Sequence, residues 1–154
     1  MKVILPGSYD PVTLGHLEII KRAAAVYDEV YAVAFVNPKK EYLFSPKEKL
    51  EMLTLATSGI PNVKVGYSDG YVIDYMRNAG IEKIIKGYRN DADLEYEKIQ
   101  ADYNFKSGGY ETELWLADDK YKSISSSEAR RLIHSGGDLS ELLPESVIEY
   151  IKAR

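Results

Sequence analysis

The feature that most constrains the fold is a regular change of hydrophobic period along the chain. Short apolar stretches, rich in β-branched or aromatic residues, alternate with longer stretches whose apolar residues recur every three or four positions. The candidate strands are residues 2–5, 29–36, 62–67, 82–86 and 112–117. Because strands joined through helices pair in parallel, the pattern predicts an α/β fold. We expect a Rossmann-like, doubly wound sheet of about five parallel strands with helices on both faces.

Helix start and stop signals lie between these candidate strands. Ser45-Pro46-Lys47-Glu48 combines an N-cap serine, a proline at the first helical position and a glutamate that completes a capping box. Asp69 is placed to cap a helix over 71–78, which ends at Gly80. Further helices are predicted over 17–27, 92–105, 126–134 and 145–153.

Length and composition restrict the class of protein. A chain of 154 residues without linkers or repeats predicts a single domain over residues 1–154. The absence of cysteine excludes disulfides, thiolate catalysis and zinc–thiolate sites. A net charge of −4 argues against non-specific binding to nucleic acid. With no signal peptide and no apolar run long enough to span a bilayer, we expect a soluble cytoplasmic protein without a membrane partner.

The loops that follow the candidate strands share one kind of chemistry. In open parallel sheets ligands bind at the carboxyl ends of the strands, so the loops 6–16, 37–45, 68–71, 87–93 and 118–127 should meet at one edge. Cations and hydroxyls concentrate there: Ser8, His16, Lys39, Lys40, Lys86, Arg89, Ser125, Ser126 and Ser127. In a net acidic protein this grouping indicates a phosphate-bearing substrate.

The segment GSYDPVTLGH, residues 7–16, contains the most informative of these loops. Gly7 and Gly15 let backbone N–H groups approach a ligand, and His16 lies beside the predicted helix start. A histidine there can donate to a phosphate oxygen as charge develops on it. The alternative is that His16 only packs against or caps the helix. The segment matches neither the Walker loop nor the dinucleotide-binding fingerprint.

Four segments, in order along the chain, resemble one enzyme family. Thr13-Leu14-Gly15-His16 matches the [HT]-x-G-H signature of the nucleotidyltransferase superfamily, and Ile124-Ser125-Ser126-Ser127 matches its I-S-S-S signature. Within that superfamily, PGSYDPVTLGH, NPKKEYLFSPKEKLEML and IIKGYRNDADLEYE are similar to segments of phosphopantetheine adenylyltransferase. That family transfers AMP from ATP to 4′-phosphopantetheine and releases pyrophosphate.

The resemblance implies a role for individual residues. His16 would be catalytic and would stabilise charge on the transferring phosphate. The residues implied to bind 4′-phosphopantetheine are Ser8, Lys40, Val72 and Lys86. The residues implied to bind ATP are Ser8, Tyr9, His16, Gly87, Tyr88, Arg89, Glu97, Tyr121, Lys122, Ser123, Ile124, Ser125, Ser126 and Ser127. Mg²⁺ would accompany ATP without a dedicated metal site in the protein, dephospho-coenzyme A or coenzyme A would bind as product or inhibitor, and the chain would form a homohexamer.

Departures from the family pattern leave two alternatives open. Lys86 stands where the family has arginine, which keeps the charge but loses the planar fork that grips a phosphate. The first alternative is an adenylyltransferase for nicotinate or nicotinamide mononucleotide. Thr13 argues against it, because those enzymes carry histidine at that position. The second is a non-catalytic nucleotide-binding or coenzyme-A-binding relative, against which the retained His16 and Arg89 argue.

Overall fold

The computed structural model describes all residues from Met1 to Arg154, and its centre is a five-stranded parallel sheet. The strands are β1 (Lys2–Gly7), β2 (Glu29–Phe35), β3 (Val63–Ser68), β4 (Lys83–Tyr88) and β5 (Glu111–Leu116). They lie in the order β3-β2-β1-β4-β5, and every neighbouring pair is parallel. The predicted α/β class and parallel sheet are therefore confirmed.

Six α-helices connect and cover the strands. They are α1 (Leu14–Val26), α2 (Pro46–Thr57), α3 (Val72–Ala79), α4 (Asp91–Gly108), α5 (Ser126–Ser135) and α6 (Glu145–Ala153). The capping box at α2 forms as predicted, because Ser45 accepts from the Glu48 N–H at 3.1 Å and Glu48 accepts from the Ser45 N–H at 2.9 Å. None of the helices combines the length and the apolar character needed to cross a membrane.

The prediction that Asp69 caps α3 is wrong. The N-cap position belongs to Tyr71, and no side chain accepts a hydrogen bond from the first turn. Asp69 lies two positions before this cap, in a turn where Ser68 Oγ accepts from the Gly70 N–H at 3.0 Å. The C-terminal signal is confirmed, because Gly80 ends the helix in the left-handed conformation with φ of 69°.

Apolar side chains pack on both faces of the sheet. In β1 successive residues point to opposite faces, so Val3 and Leu5 join a core with residues of α1, α2 and α6. Ile4 joins a second core on the other face, where Met76 of α3 is fully buried. Helices therefore cover both faces, as the alternating pattern predicts.

The order of the strands determines where a ligand can enter. From β1 the chain continues outward to β2 and β3, and then returns to the other side of β1 to form β4 and β5. The loops after β1 and β4 consequently leave in opposite directions and open a crevice between them. Such a switch point is the usual position of a ligand in a doubly wound sheet.

Candidate active site

A cleft of about 340 Å³ opens at the carboxyl ends of β1 and β4. Its walls come from the β1–α1 loop, the first turn of α1, the end of β4 and the start of α5. Most residues predicted to bind ATP line it: Ser8, Tyr9, His16, Gly87, Tyr88, Arg89, Glu97, Tyr121, Ile124, Ser125, Ser126 and Ser127. The fold thus brings together four segments that are far apart in the sequence.

A second cleft of about 280 Å³ adjoins the first. Val72, predicted to bind the acceptor, lines this second cleft. The wall common to the two clefts consists of Pro6, Gly7, Ser8, Lys86 and Glu97. Two ligands that occupy the two clefts would therefore meet beside Ser8 and Lys86.

Three residues predicted to bind substrates line neither cleft. Lys40 is exposed in the β2–α2 loop, where its backbone N–H donates to the Asn37 carbonyl at 3.0 Å. Lys122 forms an ion pair with Asp119 at 2.8 Å, and Ser123 is exposed.

His16 is both a cap and a lining residue of the first cleft. Its backbone N–H donates to Thr13 Oγ1 at 3.2 Å, and its Nδ1 accepts from the Thr13 N–H at 3.0 Å. Because Nδ1 accepts, we assign the ring proton to Nε2. The edge of the ring packs against Tyr9, with 4.9 Å between the ring centroids. His16 thus caps the helix, and because it also lines the first cleft, its Nε2–H remains available as a donor there.

The environment of His16 keeps the imidazole neutral at physiological pH. Burial, and secondarily the positive charges of Lys86 and Arg89, lower the pKa of His16 to about 4. The neutral ring retains its Nε2–H without carrying a charge that nearby cations would oppose. His16 is therefore suited to donate a hydrogen bond and not to exchange protons near pH 7.

We expect the imidazole of His16 to titrate far below the usual range. His134 is the other of the two histidines, so His134→Gln leaves a single ring to follow by NMR. The chemical shifts of the His16 ring should stay constant from pH 8 to about 5.5 and then change with a midpoint near the low pKa of about 4. As pH falls from about 6.5 to 4, the His16 imidazole becomes protonated in the unfolded chain but stays neutral in the folded protein. The free energy of unfolding should therefore decrease over this range. A midpoint at 6 or above would contradict the lowered pKa of His16.

Lys86 lies at the common wall of the two clefts, between two oxygen groups. Its Nζ donates to the Pro6 carbonyl at 3.1 Å and is 3.6 Å from Glu97 Oε2. Glu97 is only 9% exposed, and Oε2 has no hydrogen-bond donor. Burial raises the pKa of Glu97, while Lys86 acts in the opposite direction. Lys86 is therefore a cation held at the wall common to the two clefts.

Arg89 connects two walls of the first cleft. Its backbone N–H and Nε both donate to Asp93 Oδ2, at 3.1 and 3.0 Å. Its Nη1 donates to the Ile124 carbonyl at 3.1 Å, in the loop before α5. These bonds fix the guanidinium beside the cleft and join the β4–α4 turn to the I-S-S-S segment.

The three serines of that segment lie at the start of α5. Ser125 is the N-cap and accepts from the Glu128 N–H at 3.1 Å. Ser126 Oγ donates to the Pro11 carbonyl at 2.9 Å, which ties α5 to the β1–α1 loop. All three serines line the cleft at the N-terminus of α5, where free backbone N–H groups favour an anion.

Sequence reasoning missed the contacts that brace the β1–α1 loop. Asp10 is 3% exposed, and its two carboxylate oxygens accept from the N–H groups of Leu43 and Phe44, each at 2.9 Å. Tyr9 adopts a left-handed φ of 46°, which is strained for a bulky residue, and its hydroxyl donates to the Leu5 carbonyl at 2.7 Å. Asp-Pro in a loop indicates only a turn, so the contacts of Asp10 with Leu43 and Phe44, 33 and 34 positions away, had no signal in the sequence.

Comparison with known proteins decides the family. The family model described as cytidylyltransferase-like matches residues 4–132. The chain belongs to this nucleotidyltransferase family. A solved structure from Vibrio parahaemolyticus, provisionally described as a nicotinate-nucleotide adenylyltransferase, matches with a TM-score of 0.71 at 15% identity. The match covers 99% of this chain and 91% of that chain, which shows that the two share a fold.

Two carboxylates of the first cleft have the chemistry to contribute to a metal site. The structure contains no cluster of three or more His, Asp or Glu side chains that could hold a metal ion. Asp93 and Glu97 are the carboxylates that line the first cleft. Mg²⁺ commonly takes one or two carboxylates together with substrate phosphates and water, so these residues suit a magnesium–triphosphate complex.

Proposed function

We propose that this nucleotidyltransferase transfers the adenylyl group of ATP to 4′-phosphopantetheine, which yields dephospho-coenzyme A and pyrophosphate. The observation that carries the proposal is the wall common to the two clefts. One cleft contains the [HT]-x-G-H and I-S-S-S residues, and the other extends from the same wall past Val72. A nucleotide in the first and a phosphate-bearing acceptor in the second would bring their phosphates together.

The reaction needs positioning and charge stabilisation more than proton transfer. An oxygen of the acceptor phosphate attacks the α-phosphorus of ATP, the bond to the oxygen bridging the α- and β-phosphorus breaks, and pyrophosphate leaves with that oxygen. Because the attacking phosphate is already an anion, no general base is required. Lys86 and Arg89 reduce the repulsion between the two phosphates, and His16 Nε2–H donates to an oxygen of the transferring phosphate.

Asp93 and Glu97 would hold a magnesium ion bound with ATP. The ion would neutralise part of the triphosphate charge and so favour the departure of pyrophosphate. Arg89 retains its bonds to Asp93, so it orients that carboxylate towards the cleft.

The second cleft offers suitable chemistry for a pantetheine arm. Phe35 and Val72 provide apolar surface, whereas Gln100 and Asn104 provide side-chain amides. Thr112 also lines the cleft, and its buried Oγ1 has no hydrogen-bond partner. A pantetheine arm carries two amide groups and a hydroxyl along an otherwise apolar chain, so it can pair with this mixture of groups.

We expect Lys40, although it lies outside both clefts in the structure, to contact the acceptor phosphate and not ATP. Lys40→Ala should raise the KM for 4′-phosphopantetheine by about tenfold, because one charge-assisted contact is lost, and leave the KM for ATP near the parent value. Steady-state kinetics with each substrate varied in turn would measure both constants. Lys47→Ala, an exposed lysine on α2, is the control for loss of a positive charge. If the parent uses pantetheine without its phosphate equally well, this assignment is wrong.

A nicotinate mononucleotide acceptor is the second candidate, favoured by the Vibrio parahaemolyticus structure with the same fold. Thr13 argues against it, as does the mixture of apolar and amide side chains in the second cleft, which suits a pantetheine arm. A coupled assay for pyrophosphate release should be run with ATP and each of three acceptors: 4′-phosphopantetheine, nicotinate mononucleotide and nicotinamide mononucleotide. We expect the first to give the highest kcat/KM by at least tenfold. Preference for a mononucleotide would establish the second candidate, and ATP binding without turnover would indicate a non-catalytic relative.

A further inference from the structure

Lys49 of α2 is a buried charge that the reaction does not use. Its side chain is 0% exposed, and its Nζ has no hydrogen-bond partner. An ammonium buried in this way costs free energy unless another interaction compensates for lost hydration. Burial lowers the pKa of Lys49, and the negative charge of Asp10 opposes this effect.

The compensating contact is with an aromatic ring. Nζ of Lys49 lies 3.4 Å from the ring centroid of Tyr42, well within the range of a cation–π interaction. Tyr42 belongs to the β2–α2 loop, residues 36–45, and its hydroxyl accepts from the Asn37 N–H at 3.0 Å. The Tyr42 side chain therefore connects Lys49 of the helix to Asn37 near the start of the loop.

Asn37 in turn organises the part of the loop that carries the lysines. Its Oδ1 accepts from the Lys39 N–H, and its carbonyl accepts from the Lys40 N–H, each at 3.0 Å. The exposed turn thus depends on one asparagine, and that asparagine is held by Tyr42. At the other end of the loop, Asp10 holds Leu43 and Phe44.

We propose that Lys49 is a positioning residue for the β2–α2 loop: its buried ammonium fixes the Tyr42 ring, and Tyr42 fixes the turn that presents Lys40. The effect on the loop follows from these contacts alone. The consequence for acceptor binding rests on the function proposed above, because it requires Lys40 to bind the acceptor phosphate.

Positioning and stability should respond differently when the charge is removed. Methionine has nearly the length of lysine and no charge, so Lys49→Met fills the same space without a buried ammonium. Replacing a buried charge by an apolar residue of similar volume is often neutral or stabilising. A residue with only a structural role would therefore leave the loop intact in this variant, whereas a positioning residue would not.

Hydrogen exchange in the free protein tests the inference. In Lys49→Met the amides of Lys39 and Lys40 should exchange roughly tenfold faster than in the parent, since the cation–π contact no longer holds Tyr42. Amides in β1 and β4 should be unchanged, which excludes general loosening of the fold. Lys47→Met removes an exposed lysine two residues away and should have no effect. Exchange within twofold of the parent would overturn the proposal.

Two tyrosine variants test the route through Tyr42. Tyr42→Leu removes the ring and the hydroxyl, so it should reproduce the exchange rates of Lys49→Met. Tyr42→Phe keeps the ring and should protect the turn better than Tyr42→Leu. The double variant Lys49→Met/Tyr42→Leu should match the single variants, because both changes break the same chain of contacts. If the increases in exchange rate of the two single variants multiply in the double variant, Lys49 does not act through Tyr42.

Kinetics separate this inference from the proposed function. In Lys49→Met the KM for 4′-phosphopantetheine should rise several-fold, while kcat and the KM for ATP stay near the parent values. If exchange accelerates but the parent shows no adenylyl transfer, the positioning role holds and the proposed function fails. If the parent is active and exchange in the variant is unchanged, the positioning role fails and the proposed function holds.

Discussion

Replacing His16 by alanine should lower kcat by about 10²–10³-fold while the dissociation constant of ATP stays near that of the parent. The side chain offers an uncharged Nε2–H at the cleft, since Nδ1 is occupied by the Thr13 N–H. A donor that strengthens its bond as charge develops on the transferring phosphate stabilises the transition state more than the bound substrate. Single-turnover rates and calorimetric titration with ATP would measure the two quantities.

The alanine variant also loses half of the capping box at α1, so a matched variant is needed. Glutamine is a usual residue at the third helical position of a capping box, and His16→Gln can retain the bond from the Thr13 N–H. We expect His16→Gln to melt close to the parent and still to lose most of its turnover. His16→Ala should show the same loss of turnover with lower stability. Near-normal turnover in both variants would reduce His16 to a helix cap.

Lys86→Ala should raise the dissociation constant of 4′-phosphopantetheine by about ten- to a hundredfold, because a hydrogen bond to a charged group contributes about 1.5–3 kcal/mol. The same change leaves Glu97, a buried carboxylate, without the cation 3.6 Å away. Stability should therefore fall by about 1–3 kcal/mol. In Lys86→Ala/Glu97→Gln stability should return while acceptor binding stays weak, which separates the two effects of the lysine.

Lys86→Arg tests whether the site keeps the geometry of the family it resembles. A guanidinium can form two parallel bonds to one phosphate where an ammonium forms one well-placed bond, so this variant should bind the acceptor more tightly. Titration calorimetry on the parent and both variants would rank the affinities. An arginine variant that binds more weakly than the parent would show a site reshaped around lysine, and a different acceptor would then be favoured.

Local signals in the sequence predicted the fold well. Each strand was located to within two residues at either end, because buried parallel strands are short, apolar and bounded by turns. The capping box at Ser45 and the end of α3 at Gly80 were also visible, since both depend on neighbouring residues alone. The prediction for Asp69 was wrong because an acidic side chain caps a helix only from the N-cap position, and Tyr71 occupies that position in α3.

The residues that line the clefts could be predicted where they belong to a sequence motif. They could not be predicted where contacts between distant parts of the chain bring them together. His16 could be identified as either a cap or a site residue, and the structure shows that it caps α1 and also lines the first cleft. The bracing of Asp10 by backbone groups 33 and 34 residues away, and the burial of Lys49 under Tyr42, have no local pattern. Of the residues that line only the second cleft, the sequence analysis identified Val72 alone, because Gln100 and Asn104 resemble ordinary polar residues of a helix.

The central claim is transfer of an adenylyl group to the phosphate of 4′-phosphopantetheine, and ³¹P NMR of the reaction mixture tests it most directly. With ATP, Mg²⁺ and the acceptor present, the phosphate monoester signal of the acceptor should disappear as signals of a diphosphate diester and of pyrophosphate grow in equal amounts. His16→Ala under the same conditions should show neither change within the time the parent needs for completion. A monoester signal that persists beside intact ATP, or the appearance of ADP in place of pyrophosphate, would contradict the claim.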